Sequence, residues 1–261
     1  MANKHGDFVW YELMTSDADG AQDFYRAILD WKIANPAQDG FDYREIQAAD
    51  DGYIGGMLQI TPEMHGAHPG WIGYIHVDDV DTSVASITAA GGTLFMPARD
   101  LEGVGRFAMM ADPQGAPFYV MTSATGDTSN AFSEDKPRPG HCAWNELATS
   151  DQAGAMAFYA GQFGWKKDGG MDMGPMGSYD FLRYGKEGGV LLGAMMGKPP
   201  HVPVSAWSFY FRVPDIDAAV ATVTAKGGQI LRGPQEIPGG DFTINGIDPQ
   251  GAHFAMVGGK S

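Results

Sequence analysis

Two glutamates stand at matching places in the sequence, and each follows a tryptophan by two residues. Glu12 follows Trp10 in the segment WYELMTSD, and Glu146 follows Trp144 in the segment WNELATSD. A carboxyl group among aromatic side chains loses hydration, which raises its pKa and suits it to act as a general acid or base. These two glutamates are therefore candidate catalytic residues for proton transfer on a small organic molecule.

Two tyrosines, Tyr74 and Tyr210, are the predicted partners of these glutamates. Side chains alternate between the faces of a strand, so Glu12 shares a face with Trp10, and Tyr74 shares one with His76. A tyrosine hydroxyl can donate a hydrogen bond to a developing oxyanion. A structural role fits as well, in which each glutamate binds a backbone end or a neighbouring tyrosine and holds two modules together. The residue types leave both roles open.

The sequence repeats itself, and the repeat explains why the two glutamates match. Residues 10–32 align without a gap with residues 144–166, and 12 of the 23 positions are identical. Later landmarks pair as well, such as the segment Asp-Pro-Gln-Gly-Ala at 112–116 and at 248–252. The chain is therefore a tandem duplication. We predict a first domain at residues 1–122, a linker at 123–139 and a second domain at 140–261.

Each copy contains two rounds of the same pattern of strands and helices. The segment from Phe8 to Thr15 alternates as a strand does, and Thr15-Ser16-Asp17 supplies N-cap chemistry before residues with helical spacing. A strand from Trp71, a helix that starts near Asp79 and further strands repeat this order. The sequence thus predicts an α+β fold of four βαβββ modules, with curved mixed sheets that form cavities.

Composition excludes several classes of protein. The 261 residues carry 32 Asp and Glu against 17 Lys and Arg, a formal net charge of −15. This charge disfavours general nucleic-acid binding and docking on anionic membranes. A single cysteine, Cys142, cannot form an intramolecular disulfide, and no apolar run is long enough to span a bilayer. We expect a cytoplasmic monomer or homodimer whose partner is a small organic ligand.

Several motifs together resemble the vicinal oxygen chelate superfamily, which includes glyoxalase I, bleomycin-resistance proteins, extradiol dioxygenases and fosfomycin-resistance enzymes. The motifs are Thr-Ser-Asp followed by Phe-Tyr and a Trp, the helix start Val-Asp-Asp-Val-Asp, the pair Gly-Gly and the turn Asp-Pro-Gln-Gly. The resemblance covers nearly the whole chain, once per copy. It implies paired βαβββ modules around a cavity, and it leaves the activity open because one fold supports several chemistries.

The metal enzymes of this superfamily hold a divalent ion in the cavity with His, Gln or Glu from four strands. Carried over by spacing, the first-ligand positions are Trp10 and Trp144, and the last-ligand positions are Tyr119 and Ala255. The remaining positions also hold residues that suit such an ion poorly, namely Ile72, Ser208, Met57 and Met195. We therefore expect no metal at the usual position and no other cofactor. A displaced divalent metal stays open, with Glu12, His76, Glu146 and His253 as its candidate ligands.

Aromatic side chains are the expected lining of the cavity in place of the metal site. We predict ligand contacts for the following aromatic residues: Trp10, Trp71, Trp144, Trp207 and Tyr119. We also predict contacts for the polar residues His76, Arg212 and His253, which differ between the copies. A largely apolar, aromatic cavity suits a flat organic ligand.

Three classes of function fit these features. The first is a small-molecule binding protein of the bleomycin-resistance type that works without the usual metal site. The alternative is an enzyme, either a glyoxalase-like lyase or isomerase or an oxygenase or hydroxylase. It would use Glu12 or Glu146 as the general base, with or without a displaced metal. The third is a structural class, in which the tandem copies mimic a dimer of single domains.

Overall fold

The computed structural model describes residues 2–36, 40–134, 136–185, 188–200 and 202–260. Both copies have the same order of elements, two βαβββ modules in a row. The first copy contains β1 Phe8–Thr15, α1 Ala18–Leu29, β2 Lys32–Ile33, β3 Tyr43–Gln47, β4 Tyr53–Gln59, β5 Gly70–His76, α2 Val80–Ala89, β6 Thr93–Leu101, β7 Gly105–Ala111 and β8 Pro117–Ser123. The second contains β9 Cys142–Thr149, α3 Gln152–Phe163, β10 Lys166–Asp172, β11 Ser178–Arg183, β12 Leu191–Gly197, β13 Ala206–Arg212, α4 Ile216–Ala225, β14 Gln229–Glu236, β15 Phe242–Ile247 and β16 His253–Gly258.

Each copy forms one eight-stranded mixed sheet. The strand order is β2-β3-β4-β1-β5-β8-β7-β6 in the first copy and β10-β11-β12-β9-β13-β16-β15-β14 in the second. Within a module the first strand runs parallel to the last, as β1 does to β4, while the later strands pair antiparallel. The predicted α+β fold of four βαβββ modules is confirmed. The short strand β2, which follows α1, is one element that the sequence patterns did not predict.

The four helices of the described chain begin at aspartates. Asp17, Asp79, Asp151 and Asp215 occupy the N-cap positions, and each carboxylate accepts from the backbone N–H three residues further on. Such a cap satisfies one of the N–H groups that the start of a helix leaves without an intrahelical partner. Among the described residues, no helix is both long and apolar enough to cross a membrane.

The chain divides into two compact units, and each unit draws on both copies. Unit 1 comprises Met1–Val9, Gly73–Ser129 and Trp144–Trp207, and unit 2 comprises Trp10–Ile72, Asn130–Ala143 and Ser208–Ser261. Helix α2 packs against α3 in unit 1, and α1 packs against α4 in unit 2. The first module of one copy thus shares a core with the second module of the other. The boundaries at residues 122 and 140 follow the sequence copies and stay a prediction.

The core of unit 2 contains a fully buried tyrosine of α1 between two polar partners. Tyr25 Oη donates to Asp248 Oδ2 over 3.0 Å and accepts from Trp71 Nε1 over 3.1 Å. The other carboxylate oxygen of Asp248 accepts from the backbone N–H groups of Gln250 and Ala252. The motifs Phe-Tyr and Asp-Pro-Gln-Gly therefore meet in one core, where the tyrosine of the first copy binds the turn of the second.

Unit 1 repeats this network with the copies exchanged. Tyr159 Oη donates to Asp112 Oδ2 over 3.1 Å and accepts from Trp207 Nε1 over 2.9 Å. Trp207 is 6% exposed and also packs edge-on against Trp165. Buried polar groups need hydrogen-bond partners, and these networks provide them. The indoles of Trp71 and Trp207, for which we predicted ligand contacts, are thus engaged in core packing.

Candidate functional site

The first module of the second copy, which lies in unit 1, carries a directed chain of two hydrogen bonds. Trp144 Nε1 donates to Tyr179 Oη over 2.8 Å, and Tyr179 Oη donates to Glu146 Oε2 over 2.7 Å. An indole N–H can only donate, and a phenol has a single proton to donate, so the direction of the chain is determined. All three side chains are half-buried. The bonds orient the Glu146 carboxylate as an acceptor.

A row of side chains crosses three strands beside this chain of hydrogen bonds. Glu146 pairs in register with Ala194, and Ala194 pairs with Phe181. Residues paired directly across strands share a face of the sheet. The Phe181 ring stands edge-on to Trp144 and to Tyr179, with centroids 6.0 Å apart in each case. Glu146 therefore shares its face with a cluster of three aromatic rings.

The first copy has an equivalent arrangement in unit 2. Trp10 Nε1 donates to Tyr43 Oη over 2.8 Å. The equivalent row consists of Glu12, Gly56 and Glu45. Glu12 is 3% exposed, whereas Glu45 is exposed to solvent. Tyr43 lies so close over Gly56 that a Cβ atom there would collide with its hydroxyl end.

The second modules differ more strongly between the copies. In unit 1, Tyr74 pairs in register with Tyr119, and the two rings stack with centroids 4.2 Å apart and planes 10° from parallel. In unit 2, Tyr210 pairs with Ala255, and the Tyr210 hydroxyl accepts from Asn245 Nδ2 over 3.2 Å. The predicted pairs of Glu12 with Tyr74 and of Glu146 with Tyr210 each divide between the two units. They stay predictions.

The predicted polar residues lie in three different settings. His76 is half-buried, and burial lowers its pKa against the opposing effect of Asp78 and Asp7. Arg212 makes a two-pronged ion pair with Asp241, with N–O distances of 2.7 and 3.1 Å. His253 is exposed at the start of β16. Cys142, the chain's single cysteine, is buried.

Sequence reasoning missed the tyrosines that bind the tryptophans of the two copies. Tyr43 and Tyr179 are 136 residues apart, the same offset that relates Tyr74 to Tyr210. That offset is the signal that identifies them. Phe181 and Glu45 are 136 residues apart as well, yet they differ in type, so a search for identity between the copies passes over them.

The residues at the metal-ligand positions that we predicted from the resemblance are poor ligands for a divalent ion. Trp10 and Trp144 stand at the predicted first-ligand positions, and their indole N–H groups are donors already bound to tyrosine oxygens. Over the part of the chain that the structure describes, no group of three or more His, Cys, Asp or Glu side chains is arranged to hold a metal.

Comparison with known proteins finds relatives for both copies. The family model described as a glyoxalase-like domain matches residues 10–121. The model described as the glyoxalase/bleomycin resistance protein/dioxygenase superfamily matches residues 138–256. The two matches together cover both copies of the duplication.

Similarity to individual proteins extends along nearly the whole chain. The protein named "Putative glyoxylase CFP32" of Mycobacterium bovis is 32% identical over 253 residues, which cover 95% of this chain and 93% of that protein. The anthracycline biosynthesis protein DauV of Streptomyces sp. (strain C5) is 28% identical over 268 residues, covering 95% and 91%. A solved structure, the Mn(II)-bound glyoxalase from Novosphingobium aromaticivorans, matches with a TM-score of 0.66 at 16% identity, covering 99% and 83%. That structural likeness concerns the fold.

Proposed function

The chain belongs to the glyoxalase/bleomycin resistance protein/dioxygenase superfamily, and we propose that it binds a small planar organic molecule beside Glu146. The observation that carries the proposal is the chain of hydrogen bonds from Trp144 through Tyr179 to Glu146. These bonds orient the carboxylate without help from the ligand. Glu146 is then oriented to accept a hydrogen bond from a ligand group such as a hydroxyl. A hydrogen bond to a charged acceptor is stronger than a hydrogen bond between two neutral groups.

The rings around Glu146 suit the planar part of such a ligand. Phe181, Tyr179 and Trp144 contact one another edge-on or by hydrogen bond, and all are half-buried. Contact between aromatic rings contributes about 0.5–1.5 kcal/mol in addition to the hydrophobic free energy of the area that the rings bury. One relative is named for the biosynthesis of anthracyclines, which are fused-ring compounds. This supports a ring-containing ligand.

The proposed binding does not use a divalent metal at the superfamily's ligand positions. Trp144 stands at the first of these positions and donates its only N–H to Tyr179. Exhaustive treatment with a chelator should therefore leave ligand affinity unchanged. A loss of binding that added Mn²⁺ or Fe²⁺ restores would contradict this part of the proposal.

The test compares equivalent variants in the two copies. The probe is 2-naphthol, a planar phenol, and isothermal titration calorimetry measures its affinity. Glu146→Gln keeps the shape and removes the charged acceptor, so the affinity should fall about tenfold, which corresponds to about 1.4 kcal/mol. Glu12→Gln is the matched control and should change the affinity less than about threefold. Equal affinity of the wild type and Glu146→Gln would overturn the proposal.

A second candidate function is catalysis with Glu146 as the general base. The observation in its favour is the short bond from Tyr179 Oη to Glu146 Oε2, which places a second proton-carrying group beside the carboxylate. In an isomerase or lyase reaction of the glyoxalase type, Glu146 would take a proton from a carbon beside a carbonyl group and return it to the product. Glu12 is the corresponding base in the first copy.

Turnover distinguishes the two candidates. The variant with both Glu12→Gln and Glu146→Gln should lose activity while its thermal unfolding stays that of a folded protein. Tyr179→Phe removes the bond to Glu146 and should shift the pH profile of the rate without abolishing it. Full activity of the double variant would eliminate these glutamates as bases.

A further inference from the structure

We propose that the residue at position 181 decides which ligands the second copy accepts. Phe181 selects an uncharged ring, whereas the equivalent Glu45 makes the first copy reject one. This inference rests on the proposed binding beside Glu146 and names its specificity-determining residue. It predicts that a neutral planar ligand binds one copy and that the chain has one such site.

The equivalence of the two positions follows from strand register. Phe181 pairs with Ala194, which pairs with Glu146, and Glu45 pairs with Gly56, which pairs with Glu12. Each row thus has a glutamate at one end and a differing residue at the other. Direct cross-strand neighbours share a face, so position 181 is on the face that carries Glu146.

The Phe181 ring forms a wall of the proposed site. It stands at 82° to the Trp144 ring and at 84° to the Tyr179 ring, with 6.0 Å between centroids in both pairs. Apolar side chains continue this lining, because the cross-strand neighbours of Tyr179 are Met171 and Met196. A ring that donates to Glu146 would find aromatic and thioether groups around it, and both suit an uncharged planar surface.

The first copy offers a polar group at the same place. Glu45 is exposed, and it lines a surface cavity of about 260 Å³ together with Arg26 and Lys32. A neutral ring over this row would strip water from the Glu45 carboxylate without replacing its hydrogen bonds. Burying a polar or charged group in this way is costly. Tyr43 also lies over Gly56 and occupies the middle of the row.

The test separates the charge at position 181 from the loss of the ring. Phe181→Gln removes the ring. Phe181→Glu removes it as well and adds a negative charge, and its side chain has nearly the same shape as that of glutamine. The affinity for 2-naphthol, measured by calorimetry, should fall at least fivefold further in Phe181→Glu than in Phe181→Gln. The affinity for (2-naphthyl)methylammonium should fall less in Phe181→Glu than in Phe181→Gln, because the new carboxylate attracts the cation.

Further variants keep the result interpretable. Glu45→Gln is the matched change in the first copy and should leave the affinity of the second copy's site for 2-naphthol unchanged. If Phe181→Glu does not unfold cooperatively on heating, Phe181→Leu replaces it, and Phe181→Gln should then bind 2-naphthol at least fivefold more weakly than Phe181→Leu.

Equal affinities of the compared Phe181 variants for 2-naphthol, or a wild-type ratio of two ligands per chain, would overturn the inference. If Glu146→Gln weakens binding and the Phe181 variants bind like the wild type, only the role of Phe181 is wrong. If Glu146→Gln binds like the wild type, the proposed function itself is wrong.

Discussion

The second modules of the two copies share a backbone register and carry different side chains on it. Tyr74 pairs with Tyr119 in the first copy, and Tyr210 pairs with Ala255 in the second. The first copy fills this place with two stacked rings. The second has a methyl group there, and its tyrosine hydroxyl binds Asn245 instead. The difference teaches that the duplicated fold tolerates the exchange of a large aromatic ring for a methyl group at one position of a strand pair.

The cores of the two units show the opposite behaviour. Tyr25 and Tyr159 each bind an aspartate and a tryptophan in the same geometry. The buried networks thus stay alike while the rows next to the glutamates differ. We therefore expect equivalent variants in the two cores to change the free energy of unfolding equally, and equivalent variants in the two rows to change it unequally.

The largest predicted effect is on the free energy of unfolding, and it tests whether the buried networks of the two cores are equally stabilising. Trp71→Ala and Trp207→Ala each delete a buried indole, and each should lower the free energy of unfolding by about 3–5 kcal/mol. Urea denaturation followed by circular dichroism measures both. A cost in one unit that exceeds the other by more than about 2 kcal/mol would show that the two networks are not equivalent. The half-buried Trp10 and Trp144 are the controls, and their loss should cost less.

A smaller effect is expected where the second modules differ. Tyr119→Ala gives the first copy the residue type of the second and removes the stacked ring, so the free energy of unfolding should fall by about 3 kcal/mol. The reverse change, Ala255→Tyr, adds a ring to a position that is 1% exposed and should cost about 1–3 kcal/mol through overpacking. Thermal unfolding measures both variants. A stabilising Ala255→Tyr would show unfilled space beside Tyr210.

The next effect concerns the middle of each row. Gly56→Ala would place a Cβ atom against the Tyr43 hydroxyl, so Tyr43 must move and lose its bond from Trp10. The cost should be about 1–2 kcal/mol. Ala194→Gly in the second copy should cost about 0.5–1 kcal/mol through backbone entropy, in addition to the loss of its buried methyl group. The indole N–H resonance of Trp10 should shift in Gly56→Ala, and an unshifted resonance would contradict the predicted movement.

The smallest effect is a pH dependence that both units should share. Burial raises the pKa of Asp112 and of Asp248, although backbone N–H groups and the tyrosine partners oppose the shift. The folded protein therefore binds these protons more tightly than the unfolded chain. The stability that this provides is complete below the ordinary Asp pKa of about 3.9. It is lost as the pH rises through the raised pKa values.

Two single variants measure this contribution. Asp112→Asn and Asp248→Asn should each make urea stability fall less steeply as the pH rises from about 4. The two changes in slope should be similar because the two networks are alike. A variant with the wild-type slope would show that its aspartate has no raised pKa in the folded protein.

Local patterns predicted much of the fold because they depend on near neighbours in the chain. Alternation predicted β1 at Phe8–Thr15, and the segment Thr15-Ser16-Asp17 predicted the start of the first helix, which is observed with Asp17 as its cap. The contacts between side chains on different strands were harder to predict from the sequence. Sequence alternation indicated which residues share a strand face with Glu146, but it could not indicate that Tyr179, on another strand, donates to this carboxylate.

By itself, the sequence determined the duplication and the four βαβββ modules, because both are a matter of residue type, order and spacing. The tertiary structure alone decided which copies share a core, that Trp71 and Trp207 belong to buried networks, and that Phe181 faces the ring of Tyr179. The physical reason is that hydrogen bonds and ring contacts between distant segments depend on strand register. A shift in register by one residue moves every side chain to the other face.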